Sequence, residues 1–284
     1  MTTVETLDPS ASALAVRQSR STVVTYLGAV VRPLGAWTPV AAAVELLALC
    51  GLDDPGVRTA IHRLKRKGWL TPQTRGGVRG YSLTKLAEAT LAAGDSVIWD
   101  APTAPALEDG WCVVNFSVPE SRRAQRHQLR SHLAAQGFGN IGTAMWIAPA
   151  RRRAAAARAI SDLGLDEFAT IFTGDYHGPQ DLRDLVYASW DLASIAQGYR
   201  GFLDHYEALA DLVESETPHG APAFTSYLEA IDAWRRLPFA DPGLPTEVLA
   251  PDWPGPGAAR VFQRLVTALE PPALSHAGLF WPQA

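Results

Sequence analysis

Between Val57 and Lys85 the chain places eight basic side chains and no acidic one: Arg58, Arg63, Lys65, Arg66, Lys67, Arg75, Arg79 and Lys85. Every lysine of the protein is among them. The chemistry open to such a set is electrostatic. Guanidinium forks pair with phosphate oxygens and with the acceptor edge of guanine, and ammonium groups act as point charges on phosphate. The rest of the chain is acidic. The whole has 25 basic and 29 acidic residues, net charge −4, and outside this stretch 17 basic residues face all 29 acidic ones. A local cationic surface on an anionic body selects a polyanion that the body itself would repel.

Other constellations are weaker. Asp175-Tyr176-His177 contains an acid and an imidazole, yet a polar loop after a strand accounts for them. His127 and His132 are five apart, off the i,i+4 face that helical metal pairs use. There is no G-x-S-x-G elbow, P-loop or dinucleotide fingerprint. The expectation is no catalytic residue, no metal and no cofactor.

The spacing of the basic residues predicts the elements that position them. Asp53-Asp54-Pro55-Gly56 opens a helix, with an Asp to cap free amides and a proline where no hydrogen bond is lost. Gly68 suits the left-handed residue after a helix end. Val57, Ala60, Ile61 and Leu64 form one apolar stripe at helical spacing. The opposite face then carries Arg58, Thr59, His62, Arg63, Lys65 and Arg66. It holds no acid, so the helix gains none of the i,i+4 ion pairs that an ordinary solvated helix uses. Trp69-Leu70-Thr71-Pro72 and Gly80-Tyr81-Ser82-Leu83 read as two strands around the turn Gly76-Gly77, with Arg75 and Arg79 flanking the tip. Two amphipathic segments precede the basic helix, about Ser21–Val31 and Thr38–Leu49. Helix, helix, basic helix, hairpin is the order of a winged helix-turn-helix, whose third helix enters the major groove while its wing reaches phosphates or the minor groove. DNA-binding residues are therefore expected at Arg58, Thr59, His62, Arg63, Lys65, Arg66, Arg75 and Arg79.

A chain of this length predicts two or three domains, and the expected fold class is α+β. Residues 1–18 are rich in Ser, Thr and Ala and read as a frayed N-terminus. The winged helix-turn-helix is expected over 19–98, followed by a proline-containing linker through Asp100-Ala101-Pro102-Thr103-Ala104-Pro105. Strand-like runs at Trp111–Val118, Gly137–Gly142, Ala144–Ala148 and Phe168–Gly174, with helical runs at Ser121–Gln136 and Arg151–Leu163, give the order β-α-β-β-α-β. That is the ferredoxin-like (split βαβ) plan, expected over 108–176. The remainder, 177–284, reads as an all-helical domain for effector binding and dimerisation. Its seam of Leu192, Ile195, Tyr199, Phe202, Tyr206, Leu209 and Val213 suits a bundle core or a subunit contact. Phe224, Tyr227, Ile231 and Trp234 line a further helix, and the last helix is predicted over Ala258–Leu269. No apolar run is long enough to cross a membrane and no signal sequence opens the chain, which predicts a cytoplasmic protein with no membrane partner. Cys50 and Cys112 lie in apolar runs and read as packed core thiols.

These stretches resemble the PaaX family, repressors of phenylacetic-acid degradation operons. Val57-Arg58-Thr59-Ala60-Ile61-His62-Arg63-Leu64, running into Gly68-Trp69-Leu70, resembles that family's recognition helix, and Tyr81-Ser82-Leu83-Thr84 resembles the end of its wing. Leu129-Arg130 with Gly137-Phe138-Gly139 is similar to its central domain. Leu237-Pro238-Phe239-Ala240-Asp241-Pro242-Gly243-Leu244-Pro245 with Trp253-Pro254-Gly255 is similar to its C-terminal part. The resemblance implies a homodimeric repressor that leaves DNA when an aryl-CoA thioester such as phenylacetyl-CoA binds, and a two-fold dimer would match a palindromic operator in double-stranded DNA. It brings no motif for the effector pocket, so those residues follow from chemistry. An aryl-CoA needs an aromatic slot and cations near its phosphates, which points to Arg183, Tyr187, Trp190, Tyr199, Arg200, Trp234 and Arg235.

Two rival readings are a winged-helix protein-interaction module and a metal-dependent nuclease. Ferredoxin-like domains of CRISPR-associated nucleases look similar in layout and carry an acid at the end of their first strand. Here that neighbourhood reads Asn115-Phe116-Ser117, without the carboxylate that Mg²⁺ requires. The acid-free helix face argues against the interaction module.

Overall fold

The computed structural model describes residues 21–99 and 104–282; the predicted frayed segment 1–18 and part of the predicted linker lie outside them. Helix α1 occupies residues 21–31, with its last turn, Leu27–Val31, wound as a π-helix. The chain then turns through Gly35 and Ala36, both at positive φ, into strand β1 (Trp37–Pro39). Helix α2 (Val40–Leu49) and helix α3 (Asp54–Arg66) follow, then strands β2 (Leu70–Arg75) and β3 (Val78–Leu83) and helix α4 (Lys85–Ile98). Gly76 and Gly77 lie at φ 54° and 79°. A two-residue loop with positive φ at both positions matches strand twist, and glycine takes it without a Cβ penalty. The hairpin pairs from Leu70↔Leu83 to Arg75↔Val78, and β1 joins the other side of β3, giving the antiparallel order β1-β3-β2.

Strands β4 (Trp111–Phe116), β5 (Gly139–Asn140), β6 (Met145–Pro149) and β7 (Ala169–Gly174) form a second antiparallel sheet in the order β5-β6-β4-β7. Helices α5 (Arg123–Ala135) and α6 (Arg153–Asp162) cover one face. Alternation along β4 sends Cys112, Val114 and Phe116 into a core with Leu129, Leu133, Ala159 and Ile160. Trp111 and Ile147 point the other way and pack with Val186, Leu192, Leu244 and Val248.

The final third is helical: α7 (Leu182–Ser189), α8 (Leu192–Ser215), α9 (Gly220–Trp234), the short α10 (Leu237–Ala240) and α11 (Gly255–Gly278). It does not stand apart. One compact unit takes the described residues up to Trp99 together with Phe202–Arg235 and the chain from Ala259 onward; the other takes the chain from Ala104 to Gly201 with Arg236–Ala258. The stretch 177–284, expected as one domain, is thus divided between both units. In the first unit Trp234 stacks on Phe262 at 4.7 Å, and its indole N–H donates to the Ile98 carbonyl at 2.8 Å.

One helical expectation needs correction. Helix α11 does not stop at Leu269 but runs through Pro271-Pro272 to Gly278. Two N–H donors are lost there, yet Ala273 and Ala277 continue the buried stripe, and that packing offsets the loss. Along the α8 seam, Leu192, Tyr199, Phe202, Tyr206 and Val213 are buried within the chain, as the bundle-core reading expects.

Candidate nucleic-acid interface

Helix α3 begins where the Asp53 side chain accepts the Gly56 amide at 3.2 Å, and Gly68 beyond its end has φ 74°. Val57, Ala60, Ile61 and Leu64 are all buried, which fixes the rotation of the helix. Arg58, Thr59, His62, Arg63, Lys65 and Arg66 are consequently exposed together. One correction concerns charge. Asp54 is itself the first helical residue, four before Arg58, and the two form a two-pronged ion pair on the exposed face. That pair also raises the Arg58 pKa, hydrogen bonding to Asp54 being the largest cause. The expected absence of i,i+4 pairing therefore fails at this one position, because the helix starts before Pro55 rather than at it. Arg63, Lys65 and Arg66 pair with no acid among the described residues.

On the hairpin, Arg79 is exposed and likewise has no acidic partner among the described residues. Arg75 differs. Its guanidinium lies 5.3 Å from the Trp37 ring centroid, donates to Gln73 Oε1 at 3.0 Å and reaches the Gly35 carbonyl at 3.4 Å. Sequence spacing equated the two arginines, whereas pairing of β1 with β3 gives only one of them an aromatic floor. Gly80 allows that floor to form. A β-carbon there would collide with the Thr38 carbonyl and the Trp37 indole.

Sequence reasoning missed the anchor of α1. Asp232 is buried and accepts hydroxyl hydrogen bonds from Ser21 (3.0 Å), Thr22 (3.2 Å) and Thr25 (2.5 Å), with Arg235 Nε at 3.2 Å. The signal was an acid on the apolar face of α9, four before which lies Leu228; nothing local named its partners about 210 residues away.

The seven effector candidates do not form one cluster. Trp234 and Arg235 belong to the first unit, where one is stacked and the other holds Asp232 and the Ser21 carbonyl. Arg183, Tyr187, Trp190, Tyr199 and Arg200 belong to the second. There, Arg183 donates twice to the Glu247 carbonyl, and Arg200 reaches Asp252 at 3.4 Å. The Trp190 ring lies against Gly139 and its N–H donates to the Gly137 carbonyl at 3.0 Å. Tyr199 donates to Asp241 at 2.9 Å, and burial, reinforced by that carboxylate, raises its phenol pKa far above the ordinary value. Tyr187 is exposed. Gly137-Phe138-Gly139 and Asp241-Pro242-Gly243 meet here, since Pro242 covers Gly137 and Arg151 donates to the Gly243 carbonyl at 2.9 Å. Among the described residues, no helix is long and apolar enough to cross a membrane, and no group of three or more His, Cys, Asp and Glu is placed to hold a metal ion.

Three family models match in chain order: PaaX-like protein over residues 18–87, the PaaX protein central Cas2-like domain over 104–186, and the PaaX-like protein C-terminal domain over 190–278. The curated transcriptional repressor PaaX of Escherichia coli strain K12 is 25% identical over 242 residues, which cover 81% of this chain and 73% of that protein. A solved structure, uncharacterized protein Rv0674 from Mycobacterium tuberculosis, superposes with a TM-score of 0.61 at 21% identity. It covers 91% of this chain and 98% of its own, and at that identity the likeness is one of fold.

Proposed function

We propose that this chain, which belongs to the PaaX family and is a transcriptional regulator of the PaaX type rather than an enzyme, reads an operator with a winged helix-turn-helix formed by α1 to α3 and the β1-β3-β2 sheet. The observation that carries this reading is the exposed cationic face of α3, held outward by its buried stripe. A capped, rotationally fixed helix presents side chains from its N-terminal half to base edges, so Arg58, Thr59 and His62 act as readers. Arg63, Lys65, Arg66 and Arg79 neutralise phosphates, which sets affinity and register rather than sequence. The Asp54 pair gives Arg58 a choice between an internal and a base partner, and adds an acceptor for cytosine N4 at the same position. Arg75 braces the wing from Trp37 and remains near enough to the tip to share phosphate contact. The central unit, with strand order β5-β6-β4-β7 under two helices, fits the ferredoxin-like plan.

Repression of an aromatic-acid catabolic operon and release by an aryl-CoA thioester, phenylacetyl-CoA first, complete the reading, with a homodimer on a palindromic site. For the effector, the exposed or half-buried side chains Arg183, Tyr187, Trp190 and Arg200 of the second unit are favoured over Tyr199 and Trp234, which are buried, and over Arg235, which holds the buried Asp232. A ligand shifts DNA occupancy only if it binds the DNA-free arrangement more tightly. The test is a fluorescence-anisotropy titration on the DNA upstream of its own gene, with and without phenylacetyl-CoA. Binding lifted by that thioester and not by free CoA supports the whole reading. Binding unaffected by any acyl-CoA removes the effector half, and no preference for this DNA over random duplex removes the operator.

A further inference from the structure

We infer that Trp281, with Pro282, is a positioning residue for the wing. It lies far from the DNA-reading elements in sequence and beyond the last matched family segment, which ends at residue 278. The inference rests on the DNA-binding reading above for its functional meaning, though not for its geometry. After α11 the chain turns tightly, the Trp281 amide donating to the Gly278 carbonyl at 3.1 Å. That turn delivers the Trp281 indole to the wing sheet, where its N–H donates to the Trp37 carbonyl at 2.9 Å. Trp37 is on β1, paired on one side only, to β3. An edge strand of three residues has few hydrogen bonds of its own, so an added donor matters to it. Pro282 then reaches the hairpin tip, since a β-carbon on Gly76 would stand 3.6 Å from the Pro282 Cβ. The segment thus touches the wing at its edge strand and at its turn.

Both contacts converge on the arginines. The Trp37 ring that hangs from the carbonyl-bonded residue carries Arg75 at 5.3 Å and donates its own N–H to the Gln73 carbonyl at 3.1 Å. The Gly76-Gly77 turn sets the separation of Arg75 from Arg79. An unbraced glycine turn samples more of its backbone space, and ordering it on DNA costs conformational entropy. Holding the turn beforehand removes part of that cost, so Trp281 strengthens phosphate contact without touching DNA.

The experiment compares wild type with Trp281→Ala and Trp281→Phe, the second keeping an aromatic ring while losing the indole N–H and part of the ring. Three readouts are taken: operator affinity across a salt series, preference for the operator over a duplex with a mismatched half-site, and hydrogen exchange at the Gly76–Arg79 amides. Trp281→Ala is expected to weaken every duplex about fivefold, the worth of one hydrogen bond, and to flatten the log K versus log salt slope by up to about 0.9, one phosphate contact. Base preference stays, because α3 is untouched, and exchange at the turn quickens. Trp281→Phe falls between. Unchanged affinity and unchanged turn protection in a folded Trp281→Ala variant overturn the inference, as does loss of base preference without change of slope. Should Trp281→Ala fail to fold, Trp281→Phe decides by the same readouts. If wild type binds no duplex, the DNA reading falls by itself, and turn protection alone still decides whether Trp281 holds the wing.

Discussion

On the proposed DNA-reading face Arg58 is the residue to test first, because its guanidinium is exposed yet held by Asp54 through an i,i+4 pair. Replacing Arg58 and His62 together with Ala is expected to relax base preference by roughly 1–3 kcal/mol, the worth of a good bidentate base contact. Anisotropy on the operator and on mismatched duplexes measures it, and full retained selectivity would place the reader elsewhere. Arg79 and Arg75 separate by the same method. Arg79→Ala is expected to flatten the salt slope by about 0.9 while leaving base preference alone. Arg75→Ala, which also strips the Trp37 brace, is expected to raise exchange at the hairpin amides as well; equal behaviour of the two variants would refute the distinction. Burial pushes the thiols of Cys50 and Cys112 up to about 12 and about 11. Thiolate being the nucleophile, neither should alkylate with iodoacetamide at pH 8 until the chain unfolds, and rapid native-state labelling of Cys112 would contradict its packing.

At the scale of elements, two joints hold the β1-β3-β2 sheet and helix α1 in place. The sheet joint depends on Gly80, where a β-carbon meets the Thr38 carbonyl and the buried Trp37 indole. Gly80→Ala is expected to cost about 2 kcal/mol or more, as overpacking does in close contact, visible as a lower Tm. The helix joint is Asp232. Removing it leaves Arg235 and the hydroxyls of α1 without their shared acceptor, and Asp232→Ala is expected to destabilise by roughly 3–5 kcal/mol, as loss of one partner from a buried charge pair does. Asp232→Asn keeps shape and loses charge, so a smaller loss in denaturant titration is expected; equality of the two would show that charge is irrelevant there. The α3 stripe and caps were legible in sequence because both depend on neighbours within a turn. The extent of α11 was not, since Pro271-Pro272 reads locally as a stop and only the burial of Ala273 and Ala277 carries the helix past it.

For the whole molecule, burial of the α8 seam moves the expected two-fold contact to another surface. The dimer remains a proposal, on the reading that the chain binds two symmetric half-sites. Light scattering at micromolar concentration should give about twice 30.6 kDa; the monomer mass with operator bound at one half-site would replace the palindrome with a single site. Division of the last hundred residues between two units also changes what truncation should do. Deleting the chain after residue 201 removes Phe224, Tyr227, Trp234 and Phe262 from the first unit. Residues 21–99 expressed alone are therefore expected to lose cooperative unfolding, and a sharp calorimetric transition for that fragment would contradict it.

The sequence by itself determined what depends on spacing along one element. It set the outward basic face of α3, its Asp53 cap and Gly68 exit, the Gly76-Gly77 turn, the order of the central strands and helices, and family membership through motifs in order. These are local periodicities and short-range sterics, carried by residues a few positions apart. Tertiary structure alone decided which groups were already spoken for. Arg75 rests on Trp37 because β1 pairs with β3, and Asp232 finds Thr22 and Thr25 across the first unit. Trp281 meets strand β1 only because α11 continues past its prolines. Each of these is a contact between distant residues, and its energy depends on a meeting that no single stretch of chain encodes.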